Sequence, residues 1–310
     1  MQKSRKILII SVSALLAFLL VINPVASVII YEAIFSVRYE PAPDQTFPVE
    51  HFEDLSVQSV ELSGAGERLV GFKYSNPTVT DPKGLVVFAH GLGGGGHTPY
   101  LPLLDAFTDL GYLVFTYDAT GNGESDGRDT NGLPQGQIDL DRAIDTALAD
   151  PDYAGLPLFL VGHSWGAYSV GIVLGHRPEV KGAVMFAGFD SSTDMMQTRA
   201  ADYVGSFLAS LAMPTVSLYE WLKFGDRATL TVSDSISATD AQIMVVHSID
   251  DATVPAGAGY NVYYEKYKDD PDVTFVLYED RGHNNLYYLD DSAIDADLMD
   301  RIDEMFEKAK

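Results

Sequence analysis

Eight short runs of apolar or alternating residues divide the chain, and helical patterns lie between most of them. The first two runs alternate polar and apolar positions, which predicts a half-exposed antiparallel pair of strands. The later six are mostly continuous apolar runs, which predict parallel strands covered on both faces. The predicted strands are residues 57–62, 68–74, 85–89, 112–117, 158–161, 183–187, 243–247 and 273–278.

Helical spacing of apolar residues follows several of these strands, at residues 102–110, 137–149, 167–174, 257–267 and 286–309. Alternating strands and helices predict an α/β fold with a doubly wound, mostly parallel eight-stranded sheet. About 55 residues separate the sixth and seventh strands, more than an ordinary crossover needs. Apolar residues recur there at helical spacing between 195 and 224, so we expect an inserted helical cap at about 190–238. A lid that forms a substrate pocket and extra scaffold helices on the sheet edge both fit this pattern.

The N-terminus has a pattern of its own. Lys3, Arg5 and Lys6 precede residues 7–30, which are almost wholly apolar and long enough to cross a bilayer. The basic flank favours a cytoplasmic N-terminus and a single-pass membrane protein whose globular domain is extracytoplasmic. A signal peptide cleaved near residues 24–26, which would give a secreted protein, and a buried core helix are the alternatives. Residues 1–31 are therefore an expected anchor or signal segment, residues 32–55 a linker and residues 56–310 the globular domain.

Charge and composition exclude several kinds of partner. The chain has 20 basic and 44 acidic residues, a net charge of −24, which disfavours nucleic-acid binding and docking of the globular part on anionic lipid. It has no cysteine, which excludes disulfides, zinc–thiolate sites and a thiol nucleophile. The histidine spacing does not suggest a metal site, and the glycines at 93–96 lack the Gly-Lys-Ser/Thr ending of a phosphate loop. We expect neither a metal nor a cofactor.

Two pentapeptides fit the pattern Gly-x-Ser-x-Gly, at residues 123–127 and 162–166. The second lies between a buried apolar strand and a helical stretch, which is the setting of a nucleophile elbow. Glycines there let the backbone make a strained turn that exposes the serine hydroxyl. The first lies in a polar, glycine-rich loop. Ser164 is therefore the candidate nucleophile, and Ser125 is a loop residue.

A serine hydroxyl needs an imidazole to take its proton and a carboxylate to orient that imidazole. In a doubly wound sheet, both groups come from loops at the carboxyl ends of later strands. Asp250 and Asp251 follow the seventh strand, and His283 follows the eighth. The chain order is therefore serine, aspartate, histidine, with either aspartate available to orient His283.

These motifs together resemble the α/β-hydrolase superfamily, in particular its esterase, monoacylglycerol-lipase-like and serine-aminopeptidase-like branches, over roughly residues 56–310. The resemblance also includes His-Gly-Leu-Gly at 90–93 and Asp-x-x-Gly-x-Gly-x-Ser at 118–125, so the first pentapeptide belongs to a loop motif of the same superfamily. It favours Asp251 over Asp250 through the pattern His-Gly-x-x-Asp-x-x-Val-Pro, although Ser248 stands where the pattern has glycine. It implies an oxyanion hole made by the backbone N–H groups of Leu92 and Trp165.

The expected activity is hydrolysis of small-molecule carboxylic esters by Ser164, His283 and Asp251 through an acyl-enzyme. Apolar residues of the predicted cap suit an acyl group. A peptidase or amidase is the alternative within enzymes, with Asp194, Glu220 or Asp226 as candidates to bind a charged peptide terminus. A catalytically silent binding protein at the cell surface is a third possibility, against which the complete set of candidate roles argues.

Overall fold

The computed structural model describes residues 2–43, 46–289 and 293–310, and its centre is one eight-stranded sheet. The strand order is β1-β2-β4-β3-β5-β6-β7-β8. Strand β2 is antiparallel to β1 and β4, and all other neighbouring pairs are parallel. The strands are β1 Ser56–Glu61, β2 Val70–Ser75, β3 Leu85–Ala89, β4 Leu113–Tyr117, β5 Leu158–His163, β6 Val180–Phe186, β7 Gln242–Ser248 and β8 Val273–Tyr278. The predicted fold class is confirmed, including the antiparallel pair at one edge.

Helices cover both faces of the sheet, which explains why its central strands are continuously apolar. The described helices are α1 Gln2–Ala17, α2 Asn23–Phe35, α3 Leu101–Asp109, α4 Gln135–Ala149, α5 Trp165–Val173, α6 Ser192–Val204, α7 Ser206–Phe224, α8 Val232–Ile236, α9 Tyr260–Tyr267 and α10 Ala296–Ala309. One apolar core contains residues of α4, α5 and α9, and a second, on the other face, contains residues of α3 and α10.

The last helix begins later than its sequence pattern predicts. Leu286 and Tyr287 lie in a turn, Tyr288 forms a β-bridge with Ile294, and α10 begins at Ala296. The part of the prediction at 290–292 lies outside the described residues. Leu286 and Tyr287 contributed to the helical pattern, but their side chains are buried in the second core from outside the helix. The side chain of Asp295 accepts a hydrogen bond from the N–H of Leu298 and caps the first turn of α10.

Helices α6, α7 and α8 lie between β6 and β7, where the insertion was expected, and we call them the cap. The N-terminal helix, which we call the anchor helix, comprises α1, a π-helical turn at Phe18–Ile22, and α2. Over Lys3–Phe35 it is long and apolar enough to cross a membrane. Its most apolar 18-residue window has a mean hydropathy of 2.5, and none of that window is buried. Its last part is different, because Tyr31 and Phe35 are buried in the first core.

The chain after the anchor helix is hydrogen-bonded to loops of the globular domain, which its aperiodic composition does not predict. The guanidinium of Arg38 donates to the backbone carbonyls of Gly123, Ser125 and Gly127. The backbone of Tyr39 exchanges hydrogen bonds with Gly121 and Gly123, at 2.9 and 3.1 Å. These contacts hold the entering chain against the loop that contains Ser125.

A buried carboxyl joins the anchor helix to the cap. Glu220 of α7 is 0% exposed and accepts hydrogen bonds from the hydroxyls of Tyr31, at 2.9 Å, and Ser192, at 2.8 Å. Burial raises the pKa of the Glu220 carboxyl to about 7, although these two hydrogen bonds and the charge of Lys223 act in the opposite direction. The folded protein therefore binds this proton more tightly than the unfolded chain.

This raised pKa predicts a pH-dependent stability. Below pH 4.5, the usual pKa of the carboxyl, Glu220 is protonated in both the folded and the unfolded state and does not change the unfolding free energy with pH. As pH rises from 4.5 to about 7, the unfolding free energy falls by about 3 kcal/mol in all. Glu220→Gln removes the titration, so we expect the difference in unfolding free energy between variant and wild type to move in the variant's favour between pH 4.5 and pH 7.5. Chemical denaturation across this range measures it, and a pH-independent difference would contradict the prediction.

Candidate active site

Ser164 lies in a sharp turn between β5 and α5. Its backbone has φ 56° and ψ −116°, a region that non-glycine residues rarely occupy. The flanking glycines make the turn possible, because a Cβ on Gly166 would lie 2.0 Å from the carbonyl oxygen of Ala89 and one on Gly162 would lie 2.5 Å from the backbone of Gly166. Strand, turn and helix therefore present the Ser164 hydroxyl at the carboxyl edge of the sheet, as the sequence predicts.

The structure brings Ser164, His283 and Asp251 into one hydrogen-bonded row. The Nε2 atom of His283 lies 3.0 Å from Oγ of Ser164, and its Nδ1 lies 2.7 Å from Oδ2 of Asp251. A carboxylate at Nδ1 requires a proton on that nitrogen, which leaves the lone pair of Nε2 free to accept the serine proton. The row therefore has the geometry for general-base activation of the serine.

The surroundings keep Asp251 ionised. Its other oxygen accepts hydrogen bonds from the N–H groups of Thr253 and Val254, both at 2.8 Å. Burial by itself would raise the pKa of this carboxyl, but the hydrogen bond and charge of His283, together with the N–H of Val254, lower that pKa below its ordinary value. Asp251 can thus orient His283 and stabilise its protonated form.

Asp250 has a different set of contacts. Its Oδ1 accepts hydrogen bonds from the hydroxyl of Ser248 at 2.6 Å and from the N–H of Gly282 at 2.8 Å, and the side chain is exposed. It thus ties the loop after β7 to the loop that contains His283. Ser248, which departs from the glycine of the superfamily pattern, supplies one of these bonds.

Ser125 is 1% exposed and far from a nucleophile's setting. Its hydroxyl donates to the carbonyl of Asp118 and accepts from the N–H of Val70, at 2.9 Å, so its hydrogen-bonding capacity is used within the loop. The Asp118 carboxylate accepts from the backbone and ring of His97 and from the N–H of Glu124. The motif at 118–125 therefore fastens two loops together.

The predicted oxyanion-hole residues follow two neighbouring strands. In the parallel pair β3 and β5, Ala89 is opposite Gly162, so Leu92 and Trp165 lie beyond the carboxyl ends of adjacent strands. Trp165 is the first residue of α5, and its N–H has no acceptor within that helix. The two N–H groups are thus suitably located to face a carbonyl oxygen bound at Ser164, which stays a prediction.

A buried relay connects three parts of the site that the sequence does not link. The hydroxyl of Tyr100 accepts from the N–H of Gly91 at 3.0 Å and donates to Nδ1 of His163 at 2.9 Å. The Nε2–H of His163 then donates to the backbone carbonyl of His283 at 2.8 Å. Burial, together with the nearby His283, lowers the pKa of His163 to about 3, so the ring stays neutral and keeps this donor–acceptor arrangement.

The relay gives Tyr100→Phe a measurable cost. Without the hydroxyl, the N–H of Gly91 and Nδ1 of His163 lose a buried partner, and we expect a loss of about 1–3 kcal/mol in unfolding free energy. Tyr263→Phe is the matched control, because the Tyr263 hydroxyl is buried and has no hydrogen-bond partner among the described residues. Equal losses in the two variants, measured by denaturant unfolding, would contradict the relay.

One proposed cap residue is not available to a substrate. Glu220, a candidate for binding a peptide terminus, is buried and bonded to Tyr31 and Ser192, so the interpretation of its side chain as an exposed ligand is wrong. Asp194 accepts a hydrogen bond from Ser191 at the start of α6. Across the described part of the chain, no group of three or more histidine or acidic side chains has the arrangement of a metal site.

Known proteins resemble this chain in sequence and in fold. The family model described as serine aminopeptidase, S33, matches residues 80–227. A monoglyceride lipase homologue of monkeypox virus is 38% identical over 96 residues, covering 31% of this chain and 34% of that protein. Human monoglyceride lipase is 30% identical over 140 residues, which cover 44% of this chain and 45% of the human protein. The matches thus span less than half of these relatives' own length.

The resemblance in fold covers much more of the chain. An esterase of Pyrococcus furiosus superposes with a TM-score of 0.65 at 15% identity, over 88% of this chain and 97% of that one. The family match contains the elbow and the loop motif at 118–125 but ends before Asp251 and His283. The sheet order and the structural similarity show the α/β-hydrolase fold, and together with the elbow and the sequence matches they support membership of the α/β-hydrolase superfamily.

Proposed function

We propose that this protein is a serine hydrolase that cleaves carboxylic esters through an acyl-enzyme intermediate. The observation that carries the proposal is the row Ser164, His283 and Asp251, with heavy-atom distances of 3.0 and 2.7 Å. Such a row occurs where a serine hydroxyl must lose its proton as it attacks a carbonyl. The similarity to monoglyceride lipases and to an esterase supports an ester as the substrate.

Each residue has one role in the proposed mechanism. The Oγ of Ser164 attacks the acyl carbon while Nε2 of His283 takes its proton. The N–H groups of Leu92 and Trp165 donate to the developing oxyanion. His283 then gives the proton to the leaving alcohol, which departs and leaves the acyl group on Ser164. A water molecule, deprotonated by His283, releases the acid. Asp251 holds His283 in the required tautomer and stabilises its positive charge throughout.

We further propose that the anchor helix spans the membrane and that the catalytic domain is extracytoplasmic. Lys3, Arg5 and Lys6 supply the cytoplasmic positive flank. Signal cleavage near residues 24–26 would remove the apolar run that precedes the cleavage site. It would leave Tyr31 and Phe35, which are packed in the first core, close to the new N-terminus. Carbonate extraction of membranes tests the anchor: the full-length chain should stay in the pellet, and its release into the supernatant would refute an integral span.

Hydrolysis of amides is the second candidate, because the matching family model is described as a serine aminopeptidase. A panel of esters with graded acyl length, assayed beside aminoacyl amides of the same leaving group, separates the two activities. The ester proposal predicts a higher kcat/KM for at least one ester than for every amide. The reverse order would replace it by the peptidase assignment.

A further inference from the structure

The cap presents an apolar surface to its surroundings. Five large side chains of α7, which we call the cap stripe, are 47–77% exposed: Phe207, Leu208, Leu218, Trp221 and Leu222. Their spacing puts them on the face opposite the buried Ala209, Met213, Val216 and Glu220. Between residues 206 and 222, the only charged side chain is the buried Glu220. Such a surface is unusual in a chain with a net charge of −24.

The anchor helix packs beside α7 in parallel register. The side-chain amide of Asn23 donates to the carbonyl of Leu211 at 2.9 Å, 188 residues apart. Further along, Tyr31 contacts Glu220 at an offset of 189. Tyr219 then donates to Glu32 at 2.7 Å, at an offset of 187. Because the offset is nearly constant, the two helices run in the same direction and advance in step.

This register pairs each residue of α7 with a residue of the anchor helix at the same height. The membrane depth of the anchor helix therefore gives the depth of α7. At an offset of 188 residues, Phe207 is level with Leu19 and Leu218 is level with Ile30. A hydrocarbon core of about 30 Å takes about 20 helical residues. If it begins at Ile7, directly after the basic flank, it ends near Ala26. The Phe207 end of α7 is then at hydrocarbon depth, and the Leu218 end is at the headgroups.

Polar contacts between the anchor helix and α7 support this depth assignment. Asn23 falls within the apolar run, and one N–H of its side-chain amide donates to the backbone of α7, which lowers the cost of a polar group in hydrocarbon. Glu32, further along, accepts from Tyr219 and pairs with Lys223 at 2.9 Å, where the helix emerges. Trp221 is level with Ala33, about 10 Å beyond Ala26 along the helix. It therefore lies at the outer margin of the interfacial zone that tryptophan favours in membrane proteins.

We propose that the cap stripe lies in the lipid bilayer beside the anchor helix, with Phe207 deepest, Leu218 at the headgroup level and Leu222 at the outer margin of the headgroups. The occupant of this surface is the outer leaflet of the membrane that the anchor helix spans. Exposed side chains of α2, among them Ile29, Ile30 and Ile34, provide apolar surface on the neighbouring helix. The inference rests on the proposed anchor and not on the proposed ester hydrolysis.

The absence of cysteine allows a direct depth measurement on the full-length chain. Single cysteines replace Phe207, Leu218 and Leu222 and carry a nitroxide, and the protein is reconstituted in phosphatidylcholine vesicles. Collision with oxygen and with a nickel chelate reports depth. Leu19→Cys and Ile30→Cys are the level-matched references. Leu148→Cys is the control, because Leu148 is 48% exposed on α4, in the hydrolase domain.

We expect Phe207→Cys to match Leu19→Cys and Leu218→Cys to match Ile30→Cys. Depth should decrease from 207 to 222, and Leu148→Cys should be fully accessible to nickel. If Leu19→Cys is buried in lipid but the stripe is as accessible as Leu148→Cys, the inference is wrong and the anchor stands. An aqueous Leu19→Cys would overturn both. Disulfide-linked dimers through position 207 would identify a second copy as the occupant instead.

The two tryptophans give a second test that needs no label. Trp165 is 2% exposed inside the protein, whereas Trp221 is 47% exposed on the stripe. Phospholipids brominated near the headgroup should quench part of the fluorescence, and Trp221→Phe should remove that part. Quenching that survives in Trp221→Phe, or no quenching in the wild type, contradicts an interfacial Trp221. Neither readout depends on enzymatic activity, so a failure here is separable from failure of the proposed hydrolysis.

Discussion

Ser164→Ala is expected to lower kcat for an activated ester by about 10⁴- to 10⁶-fold. The hydroxyl of Ser164 is the atom that attacks the substrate, and its removal leaves only binding and oxyanion stabilisation. The fold should persist, because the backbone of the elbow is held by Ser164 N–H to the carbonyl of Phe186 and by Tyr168 N–H to the carbonyl of Ser164. Turnover of a p-nitrophenyl ester, with circular dichroism as a check on folding, measures the loss.

Ser125→Ala is the control for this experiment, because Ser125 occupies the same position in the other Gly-x-Ser-x-Gly pentapeptide. Its hydroxyl only joins Asp118 to Val70, so the variant should lose stability while its folded fraction retains turnover. The account requires that activity per folded molecule fall far more in Ser164→Ala than in Ser125→Ala. Equal losses would remove the basis for choosing between the pentapeptides.

Asp251→Asn should lower kcat by about 10⁴-fold with a small change in KM. An amide at this position donates a hydrogen bond to Nδ1 of His283 or leaves it unpaired, which favours the wrong tautomer and removes the negative charge beside the protonated ring. The loss should therefore be in the chemical step and not in substrate binding.

Asp250→Asn is the neighbouring control. An asparagine retains an acceptor for the Ser248 hydroxyl and the Gly282 N–H, which are the contacts that Asp250 makes. We expect a loss of less than about tenfold, from loosening of the loop, since surface changes away from buried networks are usually small. A larger loss in Asp250→Asn than in Asp251→Asn would assign the orienting carboxylate to Asp250.

The central parallel strands were predictable because burial on both faces of a parallel sheet leaves a continuous apolar run, which can be recognised without knowing the neighbouring strands. Ser164 was singled out for a similar reason, because the glycines and the flanking strand and helix are local features. The separation of Asp251 from Asp250 depended on the superfamily resemblance, since both follow the same strand. The structure then gives them different contacts: His283 for Asp251, and Ser248 with Gly282 for Asp250.

Contacts between distant segments could not be predicted. The relay joins Tyr100 to His163 across 63 positions and His163 to His283 across 120, and no periodicity records such a pair. Glu220 has the pattern of an exposed acid on a helix, yet Tyr31, 189 positions away, contributes to its burial. The late start of α10 was missed for the same reason, since tertiary contacts bury Leu286 and Tyr287. In the sequence, these two apolar residues have the spacing of a helix face.

The central claim is that Ser164 is the nucleophile of a serine hydrolase, and its most direct test is covalent labelling. Full-length protein is treated with a fluorophosphonate, digested and analysed by mass spectrometry to locate the phosphonylated residue. The account predicts one adduct, on the peptide that contains Ser164, at a rate that falls sharply in Asp251→Asn. An unlabelled wild type, or an adduct on Ser125 with Ser164 unmodified, would contradict it.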